Sequence, residues 1–158
     1  SLPTPNKRGF WDLITPGIIS LFFLFPLFSP FGHKTHLGLL LKTDKQSYSL
    51  RESIVIQLTI TNKATQVFKS TFSSTQRYDF VIRKEGKEIW RWSKDKIFAM
   101  KLTEFQLEPK QSLIFQERWT QEDDEKRPIS PGKYEIIGIL KTRPEIISPR
   151  VIIEIKQN

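Results

Sequence analysis

The stretch "SIVIQLTIT", residues 53–61, decides the fold class because its apolar side chains recur at every second position. Ile54, Ile56, Leu58 and Ile60 share one face of an extended chain, and the opposite face is mostly polar. This period of two is typical of a strand that buries one side in an antiparallel sheet. The stretch therefore predicts a half-buried β-strand.

The same alternation continues on both sides of this strand, with turn residues between the apolar runs. It recurs in "LGLLLKT" (37–43), "RYDFVIRK" (77–84), "YEIIGIL" (134–140) and "RVIIEIK" (150–156). Turns are predicted at 62–63, 84–87, 107–112 and 130–132. No long segment repeats with the helical period of 3.6. Seven or eight short strands with such turns predict an all-β fold, an immunoglobulin-like antiparallel β-sandwich.

The chain has no cysteine, so no disulfide can join the two sheets and no thiolate can act as nucleophile or metal ligand. Large aromatic side chains must fill the space between the sheets instead. Burying one of them fully stabilises the fold by about 1.5–3 kcal/mol. The candidates are Phe72, Phe80, Trp90, Phe115, Trp119 and Tyr134.

Residues 13–32, "LITPGIISLFFLFPLFSPFG", contain no charged side chain. About 20 apolar residues match the thickness of a bilayer core, and 18–28 has the length of a signal-peptide core. Three prolines count against a long membrane-spanning helix, and the lack of a small-x-small triplet counts against a cleaved signal peptide. We predict a signal peptide or membrane anchor with linker over 1–36 and the sandwich over 37–158. The expected location is extracytoplasmic or membrane-anchored, with membrane association through 13–32; the alternative is a cytoplasmic chain.

The charge pattern gives only a diffuse signal. A net charge of +8 favours anionic partners, but carboxylates are interleaved with the basic residues along the chain. Residues 83–101 hold seven basic and three acidic side chains, without any known nucleic-acid motif. We expect a solvated surface of mixed charge and no nucleic-acid partner.

Enzymatic chemistry is not expected. The two histidines, His33 and His36, precede the predicted strands, so a histidine-based triad has no place inside the sandwich. Two histidines without a further histidine or cysteine make a poor metal site, and the seven glycines form no phosphate-binding loop. We therefore expect no catalysis, no cofactor and no metal.

The stretch "FVIRKEGKEIWRW" (80–92) predicts a hairpin that turns at Glu85-Gly86. Trp90 and Trp92 are two residues apart and share a face of its second strand. Two interpretations stay open: packing against the sheet, or an exposed platform on which a base or sugar stacks.

Five short sequence motifs, in this order along the chain, resemble those of one family. They are "TITN", "TFSSTQRYDFVI", "GKEIWRWSKDKIFA", "LEPKQSLIFQERW" and "ISPGKYEIIGIL". Together they resemble the BsuPI domain, named for an intracellular proteinase inhibitor of bacilli, and the resemblance covers roughly residues 48–140. It implies an immunoglobulin-like sandwich that binds and inhibits serine proteases of the subtilisin kind, without cofactor or catalysis.

An inhibitor of this kind presents an extended loop that pairs with the cleft of the enzyme. The best candidate is "SKDKIFAM" (93–100), where apolar side chains follow the tryptophan hairpin. Phe98 has an alternative role as a plug under the hairpin, and the acidic turn 121–130 is a second candidate that we expect to be too flexible. The candidate partner-binding residues are Trp92, Ser93, Lys96, Ile97, Phe98 and Met100.

A function of another class stays open beside inhibition. The same fold serves structural or adhesion modules at cell surfaces, which bind protein or glycan without inhibiting anything.

Overall fold

The computed structural model of the chain describes residues 36–158, which are all-β apart from one short 3₁₀ helix, η1. The elements are β1 Leu37–Thr43, β2 Ser47–Ser49, β3 Ile54–Asn62, β4 Phe68–Ser74, β5 Tyr78–Lys84, β6 Lys87–Arg91, η1 Trp92–Asp95, β7 Met100–Leu107, β8 Ser112–Trp119, β9 Gly132–Leu140, β10 Ile146–Ile147 and β11 Val151–Lys156. The stretches with a period of two form β1, β3, β5, β9 and β11, as predicted.

Among the described residues the strands form two sheets and a ribbon. The first sheet has the order β1-β3-β8, the second has the order β2-β11-β9-β5-β6 with β10 beside β9, and β4 and β7 make the two-stranded ribbon. The pairs are antiparallel except for β2, which runs parallel to β11. The predicted antiparallel architecture is therefore confirmed with one exception at an edge of the second sheet.

The core lies between the two sheets. On β3 the residues Ile54, Ile56, Leu58 and Ile60 are fully buried, and each alternates with a partly exposed neighbour. They share one apolar cluster with side chains of the second sheet. At Gly138 of β9 an added Cβ would lie only 3.0 Å from the Leu58 side chain, so the sheets approach closely there. This arrangement is consistent with a β-sandwich.

The predicted aromatic filling of the core is largely confirmed. Phe72, Phe80, Trp119 and Tyr134 are buried. The other two candidates, Trp90 and Phe115, are half-buried and pack against the same cluster.

The predicted turn of the hairpin lies where the sequence places it. Glu85 and Gly86 connect β5 to β6 with φ angles of 51° and 77°. Glycine adopts a positive φ without steric cost, which explains its place in this two-residue turn.

The predicted N-terminal segment, including the uncharged run 13–32, lies outside the described residues except for His36. The domain boundary between 36 and 37 stays a prediction.

Candidate functional site

The two tryptophans of the hairpin pack on the protein rather than standing free. Trp90 of β6 lies opposite Ile82, and its ring centroid is 6.1 Å from that of Trp119. Trp92 stacks on Tyr78 with centroids 4.6 Å apart and an interplanar angle of 25°. Both rings are half-buried against the core cluster, which favours the packing interpretation. The strand is shorter than predicted, however, because β6 ends at Arg91 and η1 begins at Trp92.

The buried carboxylate of Asp79 fixes the start of η1. Its side chain is 1% exposed and accepts hydrogen bonds from the Ser93 hydroxyl at 2.5 Å and the Ser93 N–H at 3.1 Å. It also accepts from the Arg91 guanidinium at 3.1 Å and from the Phe80 N–H at 2.9 Å. Four donors therefore surround this carboxylate, and two of them belong to Ser93.

Thr75 fixes the chain again six residues after Ser93. The Ala99 N–H donates to the Thr75 hydroxyl at 3.0 Å, and the Thr75 N–H donates to the Ala99 carbonyl at 2.9 Å. Residues 93–99, which we call the anchored segment, are thus held at both ends by contacts with the second sheet and the loop before it.

The middle of the anchored segment, which follows η1, is open to solvent. Lys96 has φ −114° and ψ 154°, which is β-region backbone. The Ile97 side chain is 99% exposed, whereas Phe98 is half-buried with its ring 6.0 Å from Trp92. Phe98 therefore leans on the hairpin at the surface and is no core plug. Within residues 36–158 the backbone groups of Ile97 and Phe98 have no hydrogen-bond partner.

The side chain of Lys96, the residue before Ile97, is held against the protein by several contacts. Its ammonium group lies 4.6 Å above the Trp92 ring and donates to the Trp92 carbonyl at 3.0 Å. It also pairs with Asp95 at 3.0 Å, and Lys126 pairs with the same carboxylate at 3.3 Å. The hydrogen bonds from Lys96 and Lys126 hold the pKa of Asp95 below its ordinary value.

A groove of about 320 Å³ runs beside the anchored segment. Three tryptophans and charged side chains of both signs line it. Its lining consists of Trp90, Trp92, Asp95, Lys96, Glu117, Arg118, Trp119, Thr120 and Lys126.

The acidic turn 121–130 is held in place, contrary to the expectation that it is flexible. The Arg91 N–H donates to the Asp124 carboxylate at 3.0 Å, and the Asp124 N–H donates to the Ile89 carbonyl at 2.9 Å. The Asp123 carboxylate accepts from the Arg127 N–H at 2.9 Å. The turn thus covers the outer edge of β6 and contains few free donors that a partner needs.

The six predicted partner-binding residues are close in sequence but differ in their roles. Ile97 and Met100 are exposed, at 99% and 85%, while Trp92, Ser93 and Lys96 are committed to contacts within the protein. The anchors Asp79 and Thr75 were missed by sequence reasoning.

Asp79 carries a signal that sequence reasoning could have used. An aspartate between apolar residues of a strand is uncommon and indicates a structural role for its carboxylate. Thr75 carries no such signal.

The described part of the chain shows neither a metal-binding cluster nor a membrane-spanning helix. Across residues 36–158 no three histidine, aspartate or glutamate side chains cluster as a metal site. In that same range, no helix has the length and apolar character needed to span a membrane.

Comparison with solved structures gives matches of low identity. The chain is similar to a β-glucosidase from Erythrobacter marinus (16% identity, TM-score 0.47), with 76% of this chain covering 15% of that one. It is similar to the alkylpurine DNA glycosylase AlkC of Pseudomonas fluorescens (15%, TM-score 0.48), covering 77% and 31% of the two chains. A third match is the sporulation control protein Spo0M of Bacillus subtilis (13%, TM-score 0.48), covering 78% and 50%. The chain thus spans less than a third of the first two proteins.

No curated protein matches the chain. The model of the BsuPI family, described as "Intracellular proteinase inhibitor", matches residues 41–145. This description contradicts the predicted extracytoplasmic or membrane-anchored location, which is wrong. That prediction depended on the uncharged run 13–32, and hydrophobicity and length alone do not distinguish a membrane segment from other apolar segments. Membrane association through 13–32 has no support from the described residues.

The matched region contains the five sequence motifs on which the resemblance depends. It also contains both anchors, Asp79 and Thr75, and the whole anchored segment between Ser93 and Ala99. Because the match covers well over half of the 158 residues, the chain belongs to the BsuPI family of intracellular proteinase inhibitors.

Proposed function

We propose that this chain inhibits a serine protease of the subtilisin kind by binding it through the anchored segment. The family is one of proteinase inhibitors, which supports a protease as the partner. The observation that carries the proposal is the exposed residue Ile97, which follows the extended Lys96 in a segment tied down at Ser93 and at Ala99.

This geometry suits a protease cleft because a cleft binds peptides as extended strands. The backbone groups of Ile97 and Phe98, which have no partner within residues 36–158, supply the hydrogen bonds of such a strand. Binding a segment that is already ordered costs less conformational entropy than ordering a loose loop. Asp79 and Thr75 therefore restrain the two ends of the segment, which is the role that a disulfide has in other small inhibitors.

The cations beside the segment are paired within the protein. Arg91 pairs with Asp79 and Glu88, and Lys94 and Lys96 pair with Asp124 and Asp95. The proposal therefore depends on the backbone and the apolar side chain of the segment.

The proposed role is binding without catalysis. The polar side chains at the segment are engaged in holding it, since the Ser93 hydroxyl donates to the buried Asp79 carboxylate. We further propose that the sandwich is of the immunoglobulin-like type, which presents binding loops between strands. Two facing sheets around one core support this assignment.

The test is to titrate active subtilisin with the full chain and follow hydrolysis of a chromogenic peptide. Inhibition in one-to-one proportion is expected, and Phe98→Asp should weaken it because the segment loses its support on Trp92. Leu40→Asp is the control, because Leu40 is 50% exposed on β1 of the first sheet. Subtilisin that stays fully active at micromolar chain contradicts the proposal. That result favours a module that binds protein or glycan without inhibition.

A further inference from the structure

We infer that Ile97 determines specificity by filling the main side-chain pocket of the target protease. The target then has an uncharged, apolar pocket that accepts a β-branched aliphatic side chain. This inference rests on the proposed function and adds to it the class of protease that the chain recognises.

Ile97 is the exposed apolar side chain of the anchored segment, and it lies between the two fixed points. Phe98 turns back onto Trp92, and Lys96 is held over the same ring. Ala99 is tied to Thr75, and Met100 already belongs to β7. The alternation of an outward Ile97 with an inward Phe98 is that of an extended strand.

Exposure alone would not single out this residue, since isolated apolar side chains are common on protein surfaces. What distinguishes Ile97 is the combination of a 99% exposed side chain with open backbone groups and hydrogen-bonded anchors on both sides. Other exposed apolar residues, such as Leu40 and Ile152, lie inside paired strands. Each of these residues therefore already pairs with a neighbouring strand on one side.

The chemistry of isoleucine sets the kind of pocket. Its branched Cβ restricts χ1, so insertion loses little side-chain freedom. Nearly the whole side chain is available for burial. A pocket with a carboxylate at its base, as in trypsin, would bury that charge against a hydrocarbon and leave it unpaired. Trypsin-like proteases are therefore excluded as targets of the unaltered chain.

The same placement puts the Ile97–Phe98 peptide bond next to the protease nucleophile. Slow hydrolysis of this bond adds one water, which leaves a carboxyl group on Ile97 and an amino group on Phe98. The two new ends stay attached to the fold through Ser93 and Ala99.

The experiment compares full-length wild type with Ile97→Asp and Ile97→Arg against subtilisin and trypsin. Wild type should inhibit subtilisin and spare trypsin. Ile97→Asp should weaken inhibition of subtilisin by about 100-fold or more, as expected for a central interface residue. Ile97→Arg should gain inhibition of trypsin, while Leu40→Asp should match wild type. Urea unfolding verifies that each variant is folded.

A second readout is the site of the first cleavage during long incubation with subtilisin. Mass spectrometry should place it between Ile97 and Phe98, with both fragments remaining together under native conditions.

The outcomes separate the two proposals. If wild type inhibits subtilisin and Ile97→Asp inhibits it equally well, the inference about Ile97 is wrong and the proposed function stands. A first cleavage at another bond also contradicts the inference. If wild type leaves subtilisin fully active, the proposed function fails and the inference fails with it.

Discussion

Replacing Asp79 by alanine should both destabilise the fold and loosen the anchored segment. The change removes a carboxylate that is 1% exposed and accepts from Arg91, Ser93 and Phe80. The Ser93 hydroxyl and N–H would lose their acceptor, and the start of η1 would no longer be fixed.

The size of the effect follows from these contacts. Removing one partner of a buried ion pair typically costs about 3–5 kcal/mol. Arg91 is 31% exposed and keeps its second pair with Glu88 at 2.7 Å, which places the loss at the lower end. We expect Asp79→Ala to lower the free energy of unfolding by about 3 kcal/mol. Ser93→Ala removes a single hydrogen bond to the carboxylate and should cost about 1.5 kcal/mol.

The measurement is equilibrium urea unfolding of wild type, Asp79→Ala, Asp79→Asn and Ser93→Ala. Asparagine keeps one acceptor oxygen but presents an amide NH₂ to Arg91. The free energy of unfolding of Asp79→Asn should therefore fall by an amount between those for Asp79→Ala and Ser93→Ala. The inhibition constant against subtilisin should rise in the same order. Ordinary surface substitutions change the free energy of unfolding by up to about 0.5 kcal/mol. If the value for Asp79→Ala lies within that range of wild type, this reasoning is refuted.

Three further predictions concern the second anchor, the sheet contact and a buried tyrosine. Thr75→Val removes the acceptor of the Ala99 N–H and should weaken inhibition while the unfolding midpoint in urea changes little; unchanged inhibition would contradict the role of this anchor. Gly138→Val should lower the free energy of unfolding in urea by about 1–3 kcal/mol through overpacking against Leu58, and wild-type stability would show that the sheets yield. Burial and the hydrogen bond to a carboxylate raise the pKa of Tyr48 to about 12, so the neutral phenol stabilises the fold fully below its unfolded pKa of about 10. That stability is lost as pH rises through about 12. Phenolate absorbance is titrated in the folded wild type and in Tyr48→Phe, and the difference between the two curves reports Tyr48. A difference that titrates near 10 would contradict the prediction.

Local alternation was sufficient to place β1, β3, β5, β9 and β11, but it did not predict which distant strands pair. The apolar side chains at every second residue of 54–60 show which face of β3 is buried. The parallel pair of β2 with β11 involves only Ser47–Ser49 and a partner about a hundred residues away. A three-residue strand has no period to detect, and its direction depends on where distant chain segments meet.

The candidate segment was predicted from its apolar residues, but its anchoring was not. Strand propensity extends the hairpin through Trp92, whereas the buried Asp79 captures Ser93 and turns the chain into η1. The acidic turn was expected to be flexible because it is highly charged. Its aspartates instead accept backbone N–H groups, among them those of Arg91 and Arg127, which no charge count reveals.

The most direct test of the account is hydrogen exchange of the full chain, alone and with subtilisin whose nucleophile has been replaced by alanine. Because the cleft should bond the open backbone of the anchored segment, the amides of Ile97 and Phe98 are expected to gain strong protection in the complex. Protection that appears at the acidic turn 121–130 or on the outer sheet faces, with these two amides still exchanging freely, would contradict the account.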